Sequence, residues 1–131
     1  MHIIHSIDEM QSLSEKLRKE GGKIGFVPTM GYLHEGHLSL VNLLKEQTDT
    51  VILSIFVNPI QFGKGEDLDK YPRDLDGDMK LCQERGVDIV FIPKGVEMYR
   101  KGHSTLIQEE KVTQGLCGKT RSSHFQGVTT I

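Results

Sequence analysis

The chain is poor in cysteine, has no long apolar run and carries no surplus of positive charge, and each shortage removes a class of function. Cys82 and Cys117 are its two cysteines. They match no metal-binding or redox spacing, which sets aside a cysteine-built centre and fits reduced thiols in ordinary core or surface positions. No stretch approaches the roughly 20 apolar residues of a membrane-spanning helix. Met1-His2-Ile3-Ile4-His5 lacks the charged and apolar regions of a signal peptide, so the cytoplasm is the expected address and no membrane is an expected partner. Sixteen Lys and Arg against eighteen Asp and Glu give a formal net charge of −2. No global field draws such a chain to nucleic acid, and any phosphate recognition must be local. Internal repeats, Pro-rich linkers and low-complexity tracts are also lacking, so the 131 residues read as one domain with one core.

What is present is an alternation of apolar segments. Ser6 caps a helix with Met10, Leu13 and Leu17 inward, Glu9 completes a capping box, and Gly21-Gly22 ends it. Residues 23–27 read as a buried strand, 35–46 as a helix and 50–57 as a second apolar strand. Right-handed crossover of this βαβ unit puts the turn at 31–37 and the loop after Val57 at the carboxyl edge of the sheet, where they can share one ligand. The loop 58–72, with Gly63 and Gly65 among its charges, is long for a βα connection and reads as functional or mobile. Leu75, Met79, Leu81 and Cys82 make 74–85 a helix ended by Gly86, and 87–92 is another buried strand before Pro93. Farther on, 96–99 reads as a turn of helix, 105–109 as a strand, and 112–117 as a short helix ended by Gly118. The β-branched Gly127-Val128-Thr129-Thr130-Ile131 reads as a strand in which the chain is cut.

The chemistry concentrates in Pro28-Thr29-Met30-Gly31-Tyr32-Leu33-His34-Glu35-Gly36-His37, a strand-to-helix turn. Unpaired backbone N–H groups and the positive end of a helix favour an anion there. Gly31 and Gly36 let the backbone come close, and His34 and His37 add donors that stabilise charge gathering on a triphosphate attacked at its α-phosphorus. Capping or surface histidines and a zinc site are the rival readings, although no Cys-x-x-Cys or His-Glu-x-x-His accompanies the pair.

Phe56-Val57-Asn58-Pro59-Ile60-Gln61-Phe62 is a second constellation, with two side-chain amides beside two aromatics. Gln61 can grip the hydroxyls or carboxylate of a small polar substrate while Phe62 shields it. The bland alternative is an Asn-Pro turn with Gln61 solvated. A third cluster, Leu116 to Phe125, brings Lys119, Arg121 and His124 into one loop, with Arg121 either a bidentate partner for an anion or a surface charge. The acidic run Glu66, Asp67, Asp69 reads as a solvated loop rather than a magnesium site.

Together with Tyr71-Pro72-Arg73 and Leu116-Cys117-Gly118, Arg121, His124-Phe125 and Gly127-Val128, these motifs resemble the amino-terminal part of the pantothenate synthetase family, in order and in spacing from the first strand to Ile131. The resemblance implies a Rossmann-like, doubly wound parallel α/β sheet of the nucleotidylyltransferase type. It implies ligation of pantoate to β-alanine at the expense of ATP, with Mg²⁺, releasing AMP and pyrophosphate through a pantoyl-adenylate. It places ATP on Met30, Gly31, Tyr32, Leu33, His34, Glu35, Gly36 and His37, with His37 as proton donor and His34 beside it. Gln61 contacts pantoate and the β-alanine site, and Asn58, Tyr71 and Arg121 match positions near the same pocket. It also implies a homodimer, and the residues themselves assign no metal ligand.

Met98-Tyr99-Arg100 and Ser122-Ser123 depart from the family's Met-Tyr-Pro and Pro-Gly, which alters local turns but not the proposed chemistry. Members continue with a Gly-Glu-Lys-Asp-type segment, a basic-serine phosphate loop and a smaller carboxyl-terminal lid domain. None of these is in the sequence, so the chain is expected to be a fragment, a partial nucleotide-binding domain over 1–131 that binds part of ATP or pantoate without turning over alone. Another His-x-Gly-His nucleotidylyltransferase, or a non-catalytic nucleotide-binding fragment, remains the alternative.

Overall fold

A computed structural model of the chain describes residues 1–63, 66, 68–121 and 123–131. Gly65 and Asp67 of the long loop, and Ser122 of the third cluster, lie outside the described residues. Two compact units divide the chain, one of Met1–Val57 with Pro72–Met98 and the other of Asn58–Tyr71 with Tyr99–Ile131.

The first unit is an α/β sheet. Strands β1 (His2–Ile4), β2 (Ile24–Thr29), β3 (Thr50–Ile55) and β4 (Ile89–Phe91) run parallel in the order β1-β4-β3-β2. Leu53 stands in register with Val27 on one side and Val90 on the other. Alternate residues of β3 point to opposite faces, and both faces are covered, which is why its sequence reads as an unbroken apolar run. Val51, Leu53 and Ile55 join Val27, Leu33, Val41, Val87, Val90 and Cys82 in one cluster, against helices α2 (Glu35–Lys45) and α3 (Leu75–Glu84). Ile52 joins Ile4, Met10 and Ile89 in a second cluster, under helix α1 (Ile7–Lys19), whose Leu13 and Leu17 pack on it as the periodicity requires. Helices on both faces make the sheet doubly wound and Rossmann-like, as expected.

Element edges move by a residue or three from the sequence reading, and a short helix α4 (Gly95–Met98) follows β4. The first strand, His2–Ile4, is new to that reading: it is three residues long, and its partner is β4, far along the chain. Ser6 takes the Glu9 N–H at 3.4 Å, but Glu9 turns its carboxylate toward His2, 3.7 Å from Nε2, instead of closing the capping box.

The second unit shows no strand among its described residues. Its elements are single 3-10 turns at Pro59–Gln61, Leu68–Lys70 and Val112–Gln114 and two short helices, α5 (Cys117–Thr120) and α6 (His124–Thr130). Three expectations fail here. The segment 127–130 belongs to helix α6, in which Thr129 and Thr130 send their hydroxyls back to the carbonyls of Phe125 and Gln126 one turn earlier, at 2.9 and 2.6 Å. Those threonines also take the backbone groups of Ile107, which donates to Thr130 Oγ1 at 3.0 Å and accepts from Thr129 Oγ1 at 2.6 Å, so 105–109 has side chains where a strand would have a neighbour. The helix expected at 112–117 splits into the Val112–Gln114 turn and α5, and Gly118 lies inside α5 rather than ending it.

Candidate functional site

At the carboxyl end of β2 the chain is tied down before it turns. Thr29 Oγ1 donates to the Ser54 carbonyl of β3 at 2.7 Å and accepts the Gly31 N–H at 3.1 Å. Gly31 then takes φ 80° and Tyr32 φ 53°. A left-handed backbone costs a residue with a side chain about 1–2 kcal/mol, so something must hold Tyr32 there. That group is Asp78, in the first turn of α3 and only 3% exposed. Its carboxylate accepts the Tyr32 N–H at 2.9 Å and the Leu33 N–H at 2.7 Å. Hydrogen bonds to a charged group contribute about 1.5–3 kcal/mol each, enough to offset the strain.

His34 follows as the N-cap of α2, with extended backbone. Its Nδ1 accepts the Gly36 N–H at 3.1 Å, and His37 Nδ1 accepts the His34 N–H at 3.3 Å. Gly36 makes the first contact possible, since a Cβ there would stand 2.8 Å from His34 Cε1. The ring centroids are 4.2 Å apart. With each Nδ1 occupied as an acceptor of a backbone N–H, the neutral rings carry their protons on Nε2, so each imidazole caps the helix N-terminus as an acceptor and keeps one N–H donor. Burial, and then the neighbouring His34, hold the His37 pKa below its ordinary value, against a smaller opposite pull from Asp78. A metal on Nε2 would demand the other tautomer and strand both backbone N–H groups; an anion demands nothing of the kind. Among the described residues no three His, Cys, Asp or Glu side chains gather in a metal-binding group. Glu35 is turned to Arg85, 2.7 Å from Nη2.

Asn58, Gln61, Tyr71 and Arg121 belong to the second unit. Asn58 is 1% exposed: its Nδ2 donates to Gln61 Oε1 at 3.0 Å and the Gly127 carbonyl at 2.9 Å, and its Oδ1 accepts the Tyr99 hydroxyl at 2.8 Å. With Oε1 so engaged, what Gln61 offers a ligand is its NH₂ group, suited to a carboxylate or hydroxyl oxygen. Arg121 places Nε and Nη2 on the two oxygens of Glu66 at 2.6 and 2.8 Å, and Nη2 also reaches the Gln61 carbonyl at 3.3 Å. The same carbonyl lies 3.2 Å from His124 Nδ1. Glu66 is therefore no solvated member of an acidic run: it meets a guanidinium of matching shape, which pulls its pKa down to about 2. Gly127 presses α6 on the turn, for a Cβ there would come within 2.7 Å of Gln61 N and Cα. Tyr71 meets Phe62 edge to face, centroids 5.7 Å apart.

Sequence reasoning missed Asp78 and the part played by Glu66. Asp74, Asp76 and Asp78 share one helix start, and nothing in their spacing singles out Asp78; only its burial does.

A family model described as pantoate-beta-alanine ligase matches residues 2–131. The chain belongs to that family. Two curated pantothenate synthetases, from Caldicellulosiruptor bescii and Heliobacterium modesticaldum, are each 54% identical over all 131 residues, which cover 46% and 47% of those proteins. A crystal structure of pantothenate synthetase from Thermus thermophilus superposes with a TM-score of 0.89 at 46% identity, over 99% of this chain and 46% of that one. The pantoate-beta-alanine ligase of Francisella tularensis, complexed with beta-gamma ATP and beta-alanine, gives 0.91 at 40% identity, over 99% and 50%. This ligase-family chain thus spans about half the length of the relatives it matches.

Proposed function

We propose that the protein is an ATP-dependent ligase joining pantoate to β-alanine, and that these residues hold the nucleotide turn and the acid-recognition turn. A pantoate carboxylate oxygen attacks the α-phosphorus of ATP and expels pyrophosphate. The β-alanine amine then attacks the acyl carbon of the pantoyl-adenylate, giving pantothenate and AMP. The observation that carries the reading is the imidazole pair at the head of α2, with both Nδ1 atoms engaged by backbone N–H groups. His34 and His37 would meet the polyphosphate through Nε2–H, His37 donating as charge develops on the leaving pyrophosphate, with Met30 to Leu33 and the α2 amides around it. Mg²⁺, if it accompanies the nucleotide, would neutralise phosphate charge there, and no described residue is assigned to hold it.

Gln61 would orient the acid through its NH₂ group, and correct placement of two reactants can supply about 7–11 kcal/mol of a barrier. Asn58 and Arg121 act through Gln61, and Tyr71 with Phe62 gives that turn an aromatic side. A homodimer and a cytoplasmic address complete the proposal.

The test joins this chain to the remaining length of the Caldicellulosiruptor bescii relative and follows AMP release from ATP. Release that requires both pantoate and β-alanine, and that falls by at least about a hundredfold in a His34→Ala, His37→Ala double variant, is the expected result. Unchanged adenylation in the double variant, or release that ignores β-alanine, overturns it.

A further inference from the structure

We propose that Asp78 is the positioning residue of the nucleotide turn: through the Tyr32 and Leu33 amides it sets the left-handed backbone that delivers His34 and His37 to a polyphosphate as Nε2–H donors. The inference rests on the reading of that pair as a phosphate grip.

A buried carboxylate is an unexpected neighbour for a polyphosphate, since like charges repel and an ion taken out of water is costly unless its oxygens are satisfied. Here each oxygen is satisfied by one of two successive amides, Oδ2 by Tyr32 and Oδ1 by Leu33. Two fixed acceptors for two adjacent N–H groups determine the orientation of two consecutive peptide planes, and the next residue is His34. The turn also closes on the carboxylate without spare room, because a Cβ on Gly31 would stand 3.0 Å from Asp78 Oδ2 and 3.0 Å from Ile55 Cγ2. A core position concerned only with packing would hold an apolar side chain beside Cys82, Leu33 and Ile55 more cheaply. The charge has a second effect. Burial, and then His34, lower the proton affinity of His37, and Asp78 is the group that raises it.

Long-range ¹H–¹⁵N spectra of the histidine rings in this 131-residue chain test the inference without any turnover. Both rings of the unaltered protein should show the Nε2–H tautomer. Asp78→Asn keeps the size but puts an NH₂ group against one of the two amides. In the folded variant, His34 and His37 should become tautomer mixtures and the His37 midpoint should fall, while His2 and His5 stay as they were. Amide exchange at Tyr32 and Leu33 should quicken at least about tenfold, and Mg-ATP, titrated by calorimetry, should bind about tenfold more weakly, the loss of one such contact. A residue that merely stabilised the fold would leave ring tautomers in the folded population unchanged. That result, with unchanged exchange, overturns the inference whatever ATP does. Should Asp78→Asn fail to fold, the unaltered chain decides: scalar coupling across the hydrogen bonds from the Tyr32 and Leu33 nitrogens to the Asp78 carboxyl carbon supports the inference, and free-loop exchange of both amides refutes it. If the rings depend on Asp78 yet the unaltered chain binds no Mg-ATP, the phosphate reading fails and the turn geometry stands.

Discussion

The two units hold the turns proposed to be functional by different physics. In the sheet unit the turn at 30–37 sits on a dry apolar floor: both hydrophobic clusters are built from residues of that unit, with Val41, Leu53 and Val90 fully buried. The Thr29 hydroxyl and the Asp78 carboxylate finish the work. Among its described residues the other unit contributes none to either cluster. Its turn at Pro59–Gln61 is held by an amide, a guanidinium–carboxylate pair, a phenol and an imidazole, with Gly127 as close packing. Apolar burial is insensitive to proton concentration, whereas a polar network is as durable as the charges in it. The contrast teaches that one turn can stand on an apolar floor that resists titration, so that only the turn's own side chains answer to pH, while the other is held largely by titratable groups.

The largest expected effect breaks the apolar side. Leu53→Ala empties the centre of β3, where Leu53 has no exposure, and should destabilise the sheet unit by about 3–4 kcal/mol. Gly127→Ala strikes the polar side by forcing a methyl group into the Gln61 backbone, an overpacking cost of about 2 kcal/mol. Residue-resolved hydrogen exchange separates the two. Leu53→Ala should lower protection at Val27, Leu53 and Val90, and Gly127→Ala should lower it at Gln61, Phe62 and Gly127 while the β3 amides keep theirs. Equal loss in both units from either variant would dissolve the contrast.

Acid should sharpen it. Glu66 has a folded pKa of about 2 against an ordinary 4.5, so the folded state binds fewer protons than the unfolded one between those values. Its contribution is complete above pH 4.5 and is lost as pH falls toward 2. Glu109 of the same unit is lowered in the same sense by the backbone N–H groups of Lys111 and Thr113. In the sheet unit the group with a lowered value is His37, whose folded pKa lies below 6.5. The unfolded chain then takes up the proton first, so stability declines as pH drops below 6.5 and levels once the folded ring is also charged. Amide exchange followed from pH 8 to about 3 should show the turn at 30–37 loosening first and the Gln61 turn later, Arg121→Gln abolishing only the later step. Simultaneous loosening would mean that neither group controls its own turn.

The same contrast explains what could be read from the sequence. Strands β2 and β3 and helix α2 declared themselves because burial imposes a period of two or 3.6 on side-chain type. The turn between them was legible for a related reason, since glycines between an apolar strand and an amphipathic helix mark a tight strand-to-helix turn. Where polar bonds rather than burial decide, the pattern misleads. Thr129 and Thr130 have strand-forming side chains but use their hydroxyls within a helix. From sequence Arg121 reads as an anion partner or a surface charge, whereas its partner is Glu66, 55 residues earlier, a pairing that no local spacing encodes. Strand His2–Ile4 is too short to show a period, and its register with Ile89 to Phe91 exists only in three dimensions. Asp78 is the sharpest case, because its importance lies in what it accepts rather than in what surrounds it along the chain.

The smallest effect sets the limit of the comparison. Lys80 and Glu84, one helical turn apart on α3, approach to 4.0 Å with side chains 77% and 54% exposed. Water screens such a pair, and ordering two long side chains offsets most of the attraction, while alanine is the better helix former. Lys80→Ala should therefore change thermal stability by no more than about 0.5 kcal/mol, with no dependence on added salt beyond that. The pair at Glu66 and Arg121 differs in geometry, two short bonds from a planar fork, and not in formal charge. If removing Lys80 proved as damaging to its unit as Arg121→Gln is to the other, charge pairing of any geometry would count equally in this fold, and the polar network around Gln61 would lose its claim to be a different kind of scaffold.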